Sequence, residues 1–229
     1  MSNPRACVVI PAYNAERTLE ALFERLKPLG LDTVLVNDGS TDRTAQIAVT
    51  AGALTISHVS NRGKGSALKT GFAYALRAGY ELVITMDSDG QHDPGEIPKL
   101  LEAAADPNAR IVIGHRALEA ERMPLLRRWT NRMMSAVISA LTRQRIPDSQ
   151  CGFRGIRREA LQTLPLSGRR FDLESELLLA AARRGWPIVS VPIRTIYEAH
   201  PSHIRPVLDG LRFVRLVMWY LLSQQEVRQ

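Results

Sequence analysis

The chain has 229 residues, 45% of them hydrophobic, which is enough for one large core, and no stretch reaches the roughly 18 consecutive apolar residues of a membrane span. Thirty Lys and Arg against 23 Asp and Glu give a formal charge of +7 and a pI near 9.9, suiting a polyanionic partner (nucleic acid, anionic lipid or a phosphorylated substrate) as well as plain solubility. Two cysteines, Cys7 and Cys151, argue against a disulfide framework, and the opening MSNPRACVVIPAYN lacks the apolar stretch and cleavage site of a secretion signal, so a cytoplasmic location is expected.

The first half alternates short β-branched runs with amphipathic segments. Cys7 to Ile10 is predicted as a strand stopped by Pro11, and Thr18 to Leu29 as a helix with Leu19, Leu22, Phe23 and Leu26 on one face. A second strand runs from Thr33 to Val36, followed by a turn from Asn37 to Asp42 and a helix from Thr41 to Val49. Leu54 to Val59 is a third strand, Gly65 to Ala78 a helix, Glu81 to Met86 a fourth strand, Ile97 to Ala104 a helix and Ile111 to Ile113 a fifth strand.

Continuous apolar strands separated by helical periods imply an α/β fold with a mostly parallel central sheet flanked by helices. In open sheets of this kind ligands bind outside the carboxyl ends of the strands. Pro11-Ala12-Tyr13-Asn14, Asn37-Asp38-Gly39-Ser40 and Asp87-Ser88-Asp89 each follow such an end and should converge on one crevice. The second half reads differently: helices from Trp129 to Leu141 and from Leu173 to Arg184, short strands from Ile188 to Val191 and Arg194 to Tyr197 around Pro192, and a terminal helix from Val207 to Leu222. No Gly/Ser linker, repeat or low-complexity stretch divides the chain, so one domain spanning 1–229 is expected, with a ligand-binding half to residue 116 and a specialised half from 117.

Asp87-Ser88-Asp89-Gly90-Gln91 places two carboxylates one residue apart just past a buried strand. Like charges packed together are costly unless a cation or donors compensate, and a hard divalent cation takes one or two carboxylates plus substrate phosphates. Gln91 adds a neutral oxygen, and His92 and Asp93 lie nearby. Asp, Ser and Gly are also ordinary turn residues, so the string fits a solvated loop as well. In Asn37-Asp38-Gly39-Ser40-Thr41-Asp42, Asp38 could accept hydrogen bonds from a base or ribose while Ser40 or Thr41 caps the next helix. Asn61-Arg62-Gly63-Lys64-Gly65-Ser66 puts two glycines around a lysine at a helix start, where backbone N–H groups make an anion site. It is not a Walker A loop, because His58 stands where that motif needs glycine.

The ordered set VVIPAYNAERTL, VNDGSTD, NRGKGSALKTGF and MDSDGQHDP strongly resembles the nucleotide-sugar-binding half of glycosyltransferase family 2. The resemblance implies the Rossmann-like GT-A fold, a donor site using Mg²⁺ or Mn²⁺, and inversion at the sugar carbon. It implies that Pro11, Tyr13, Glu16, Asp38 and Lys64 hold the nucleotide, together with Asp87. It further implies that Asp87, Asp89 and Gln91 hold the metal and, through it, the diphosphate of GDP-mannose or UDP-glucose. Asn37 stands where many relatives carry Asp, and Ser88 where Ala is commoner.

Farther on, Gly114-His115-Arg116, Arg127 to Arg132 and Asp148 to Arg154 look like the polyprenyl-phosphate sugar transferases, dolichyl-phosphate mannosyltransferases among them, and Phe171 to Glu176 and Ser202-His203 fit the same pattern. In that group the acceptor is a lipid phosphate, already anionic at neutral pH, so no strong general base is needed. Arg116, Arg127 and Arg132 are then the candidates to bring the phosphate to the metal held by Asp89, although arginines on an exposed helix usually do nothing specific. Asp148, Gln150, Glu174 and Ser202 would bind sugar or acceptor, or shape the loop; Cys151 has no accompanying base and is not expected to be a nucleophile. A basic tail helix with Arg205, Arg212 and Arg215 among Val207, Leu208, Leu211, Val214, Met218 and Trp219 suits a membrane interface, as does the helix carrying Met133 and Met134, with room for a partner membrane protein. The alternatives are a family 2 transferase acting on a polysaccharide, glycolipid or soluble acceptor, with Asp148 or Glu174 as base, and a non-catalytic nucleotide-sugar-binding protein. Nucleic-acid binding is not expected, for want of any recognition motif.

Overall fold

The computed structural model describes residues 4–116, 125–168, 172–196, 213–218 and 220. Seven strands form one sheet in the order β3-β2-β1-β4-β6-β5-β7. They are β1 (Ala6–Ala12), β2 (Asp32–Asn37), β3 (Leu54–Ser57), β4 (Leu82–Thr85), β5 (Ile111–His115), β6 (Arg154–Arg157) and β7 (Ile188–Pro192). Helices α1 (Glu16–Leu26), α2 (Thr44–Thr50), α3 (Lys64–Arg77), α4 (Ile97–Ala103), α5 (Leu125–Thr142), α6 (Arg158–Thr163) and α7 (Asp172–Arg183) flank it. The predicted α/β class and GT-A-type, mostly parallel sheet are borne out. β3, β2, β1 and β4 run parallel, as do β5 and β7. Only β6 runs against its neighbours β4 and β5.

Strands β1, β2 and β4 carry apolar side chains on both faces because helices cover both, and Val8, Val9, Ile10, Leu35 and Ile84 are fully buried. α3 lies across β1 and β2. Its approach requires Gly71, where a Cβ would stand 2.4 Å from Val9 Cγ1. α1 buries the four residues its periodicity singles out, Leu19, Leu22, Phe23 and Leu26. It gives way at Lys27 to a 3₁₀ turn that Gly30 closes in the left-handed region, at φ 62°.

Several boundaries differ from the sequence reading. α2 starts at Thr44 rather than Thr41, because Asp42 Oδ1 takes the Thr44 N–H at 3.0 Å and turns the chain first. β6 and α6 had no counterpart in the reading, since Arg-Gly-Ile-Arg carries no β-branched run. The strand expected at Arg194 to Tyr197 reduces to a single bridge between Thr195 and His92, and Tyr197 lies outside the described residues. Met134, expected to face lipid beside Met133, packs against the core, whereas Met133 and Trp129 are exposed. Of the terminal helix, 213–218 and 220 are described and helical; Phe213 and Tyr220 are buried, and Val214, Arg215 and Met218 exposed. Among the described residues no helix is long and apolar enough to cross a membrane.

Candidate active site

The loops after β1, β2, β3 and β4 do meet. Asn14, at φ 50°, donates its N–H to Ser40 Oγ at 2.9 Å and accepts the Thr41 N–H at 2.9 Å, joining the first loop to the second. The second joins the third at Gly39, where a Cβ would fall 2.4 Å from the Ser60 carbonyl carbon. Thr18 Oγ1 on α1 donates to the Ser88 carbonyl at 2.6 Å, which ties the acidic turn to the same wall.

Asp38 is buried at the back of this crevice. Its Oδ1 accepts the Arg62 N–H at 2.9 Å and lies 2.6 Å from His58 Nδ1; its Oδ2 accepts the Gly63 N–H at 2.7 Å. His58 Nε2 reaches Thr70 Oγ1 at 2.9 Å. The carboxylate therefore fixes the loop leading into Lys64. Pro11 is buried at the end of β1, Tyr13 is exposed beside it, and Glu16 accepts from the Arg43 backbone N–H at 3.2 Å and side chain at 3.3 Å.

Lys64 Nζ lies 2.6 Å from Asp87 Oδ1 and 3.0 Å from Glu174 Oε1 on α7, so the two halves of the chain meet on one ammonium group. Burial opposes the charge of Asp87, but Lys64 outweighs it and holds the carboxyl down at about 2. Burial likewise opposes the charge of Lys64, and Asp87 and Glu174 hold it above the usual lysine range. Gly152 leans on this cluster: a Cβ there would stand 2.8 Å from both Asp87 carboxylate oxygens and 3.0 Å from Glu174 Oε1.

Asp89 Oδ1 accepts the Gln91 N–H at 3.0 Å, and the Ile196 N–H donates to the Gln91 carbonyl at 2.9 Å. Gly90, at φ 74°, lets the chain reverse between them. Among the described residues no three His, Cys, Asp or Glu side chains gather into a metal cage. Asp87, Asp89 and Gln91 lie within five residues on the turn after β4, and carboxylate and amide oxygens are the hard ligands that Mg²⁺ or Mn²⁺ takes together with a substrate's phosphates.

Arg116, at the end of β5, grips Asp148 bidentately, with Nε to Oδ2 at 2.6 Å and Nη2 to Oδ1 at 3.0 Å. Burial would raise the Asp148 pKa, but Arg116 holds it below the ordinary carboxylate range. Gln150 Nε2 donates to Ser149 Oγ at 3.0 Å. Arg132 is exposed on α5; the Arg127 side chain and all of Ser202 lie outside the described residues. Cys151 is fully buried, and its thiol is pushed up to about 12, in keeping with no nucleophilic role.

Sequence reasoning gave no role to two groups, Arg154 and His92. Arg154, 1% exposed, donates Nε to the Cys151 carbonyl and Nη2 to the Ser149 carbonyl, both at 2.8 Å, and Nη1 to the Glu174 carbonyl at 2.5 Å, locking the 149–152 loop to α7. Nothing in the string Phe-Arg-Gly signals that role. His92 is buried, accepts the Asp87 N–H on Nδ1 at 3.2 Å and stacks on Phe153 with centroids 5.2 Å apart. Burial lowers its pKa, although Asp87 and Asp89 act to raise it. Its place directly behind the acidic turn was the available signal.

Residues 7–164 match the family model described as Glycosyl transferase family 2. An undecaprenyl-phosphate mannosyltransferase of Micrococcus luteus is 30% identical, over 97% of this chain and 96% of its own. A UDP-N-acetylglucosamine–dolichyl-phosphate N-acetylglucosaminyltransferase of Methanococcus voltae is 30% identical, over 95% of this chain and 97% of its own. In fold the chain is similar to glucosyl-3-phosphoglycerate synthase of Mycobacterium tuberculosis, solved with Mn²⁺, UDP and glucosyl-3-phosphoglycerate. The TM-score is 0.74 at 23% identity, covering 96% of this chain and 79% of that one.

Proposed function

The chain belongs to glycosyl transferase family 2, and on that premise we propose that it moves a hexose, with inversion, from a nucleoside-diphosphate sugar to a polyprenyl phosphate at a membrane surface. The observation that carries this reading is the state of two carboxylates. A hydroxyl acceptor requires a base to remove its proton. Asp148 and Glu174, the two expected to serve, are both ion-paired, to Arg116 at 2.6 Å and to Lys64 at 3.0 Å. A phosphate monoester is already an anion and needs no such base. The names of the two bacterial and archaeal relatives, each acting on a lipid phosphate, support the same acceptor class.

In this reading the first half to residue 116 holds the donor and the remainder the acceptor. The loop of Asp38 and Gly63 presents Lys64 to the diphosphate, with Pro11, Tyr13 and Glu16 along the nucleotide. Asp87, Asp89 and Gln91 hold Mg²⁺ or Mn²⁺. The cation, when bound, supplies Lewis-acid stabilisation of the charge on the departing diphosphate. Asp148 pre-orients the Arg116 guanidinium, so little rotamer freedom remains to be lost when it meets a phosphate. Arg127 and Arg132 add positive charge, and Gln150 contacts the sugar or acceptor. A phosphate oxygen attacks the anomeric carbon as the bond to the diphosphate breaks; the proton balance is unchanged.

Trp129 and Met133 on α5, next to Arg132, and Val214 and Met218 on the terminal segment, next to Arg215, are exposed apolar residues beside basic ones, of the kind that lie in a lipid headgroup layer. The protein would work at the cytoplasmic face, by itself or beside a membrane partner. A transfer assay with Mn²⁺ and the Asp89→Ala variant tests the site. Asp89→Ala is expected to lose at least a hundredfold in turnover at an unchanged melting temperature; unchanged turnover would remove Asp89 from the metal site.

A further inference from the structure

His92 touches, with its ring, both the acidic turn and the loop from the second half of the chain. Its backbone bridges to Thr195, its ring stacks on Phe153 at an interplanar angle of 18°, and its Nε2 lies 3.9 Å from Cys151 Sγ. Nδ1 turns back across the acidic turn to accept the Asp87 N–H at 3.2 Å. Since Nδ1 is an acceptor, the ring proton sits on Nε2, toward the sulfur. Just past the end of β4 the Met86 N–H still reaches the Val9 carbonyl at 3.1 Å, and the next donor, the Asp87 N–H, turns to the imidazole instead. The direction in which the Asp87 side chain leaves the strand thus depends on an imidazole five residues away.

We propose that His92 is a positioning residue for sugar transfer, its Nδ1 aiming the Asp87 carboxylate at the cation and diphosphate by holding the Asp87 N–H. The proposal rests on the transferase reading above. Three further contacts restrain the same turn, from Thr18 to the Ser88 carbonyl, from Gln91 N–H to Asp89 and from Ile196 N–H to the Gln91 carbonyl. None of them touches Asp87, so losing the imidazole acceptor leaves the turn closed, frees the Asp87 backbone and leaves its carboxylate held by Lys64, at 2.6 Å, alone of these ties. Gly152 sharpens the requirement, because even a Cβ there would stand 2.8 Å from both Asp87 carboxylate oxygens, so the carboxylate has little room on that side.

Two variants separate aim from packing. His92→Phe keeps a ring on Phe153 and removes the acceptor; His92→Asn keeps an acceptor oxygen near the Nδ1 position and removes the ring. The readouts are the melting temperature without ligands, its rise on adding Mn²⁺ with GDP or UDP, and the Mn²⁺ concentration giving half-maximal transfer. His92→Phe is expected to melt like the wild type, to lose most of the Mn²⁺–nucleotide rise and to need at least tenfold more Mn²⁺. His92→Asn is expected to stay within about threefold of the wild-type Mn²⁺ requirement, even if it melts lower. His92→Phe behaving as wild type, or both variants losing Mn²⁺ response equally, overturns the proposal. A wild-type protein that neither GDP nor UDP stabilises in the presence of Mn²⁺ overturns the transferase reading itself, and this inference with it.

Discussion

Lys64 and Asp87 are paired at 2.6 Å, although Lys64 opens α3 and Asp87 follows β4, and the resemblance assigns Lys64 to the nucleotide and Asp87 to the metal as well. The ammonium group therefore neutralises part of the acidic turn when no donor is bound, and Glu174 at 3.0 Å keeps it anchored from the other side. Two carboxylates share the one ammonium group, which leaves the pair of them with net negative charge, a setting that suits a divalent cation.

The pair has a pH signature. The folded pKa of Asp87 is depressed to about 2 from an ordinary 3.8. Its contribution to stability is then complete above the unfolded value and is lost as pH falls through the folded one. The melting-temperature gap between wild type and Asp87→Asn is expected to hold from pH 7 to about 5 and to close between about pH 4 and 2. A gap independent of pH down to 2 would show that Asp87 gains nothing from Lys64.

Arg116 and Asp148 form a second pair, with side chains only 9% and 13% exposed. Removing one partner strands the other charge, at a typical cost of about 3–5 kcal/mol. Asp148→Asn and Arg116→Gln are each expected to melt well below wild type, and the double variant to recover much of the loss. Transfer activity is expected to stay low in all three, since none keeps an oriented guanidinium. Recovery of activity in the double variant would release Arg116 from the acceptor site.

Both cysteines are buried, and burial pushes each thiol up to about 12, with Asp32 adding to the effect at Cys7. At pH 8 the native protein is expected to resist alkylation by iodoacetamide and to keep full activity, with two thiols reacting after unfolding. Rapid modification of Cys151 with loss of turnover would reopen a covalent route.

The first half of the fold was legible because β1, β2 and β4 are buried on both faces and read as near-continuous apolar runs. Its loops carry motifs in a fixed order, so the crevice was placed before any contact was known. β6 was not legible: Arg154 looks like a surface residue, and only the carbonyls of Ser149, Cys151 and Glu174 make its burial tolerable. That is a tertiary arrangement with no local signature. Asp38 shows the same limit from the other side. Its position after β2 was evident, yet its bonds to His58, Arg62 and Gly63 come from a loop some twenty residues away. The pairing of Glu174 with Lys64 joins residues 110 positions apart, a distance at which spacing carries no information.

The central claim is that the acceptor is a phosphate on a lipid. The most direct measurement incubates the full chain and Mn²⁺ with radiolabelled GDP-mannose, UDP-glucose or UDP-N-acetylglucosamine, each offered a short polyprenyl phosphate or the matching polyprenol, and counts label in the lipid extract. With one donor, label is expected to enter the polyprenyl phosphate, to be abolished by a chelator, and to be absent from the polyprenol. Label in the polyprenol, or none in the phosphate with any donor, would contradict the account.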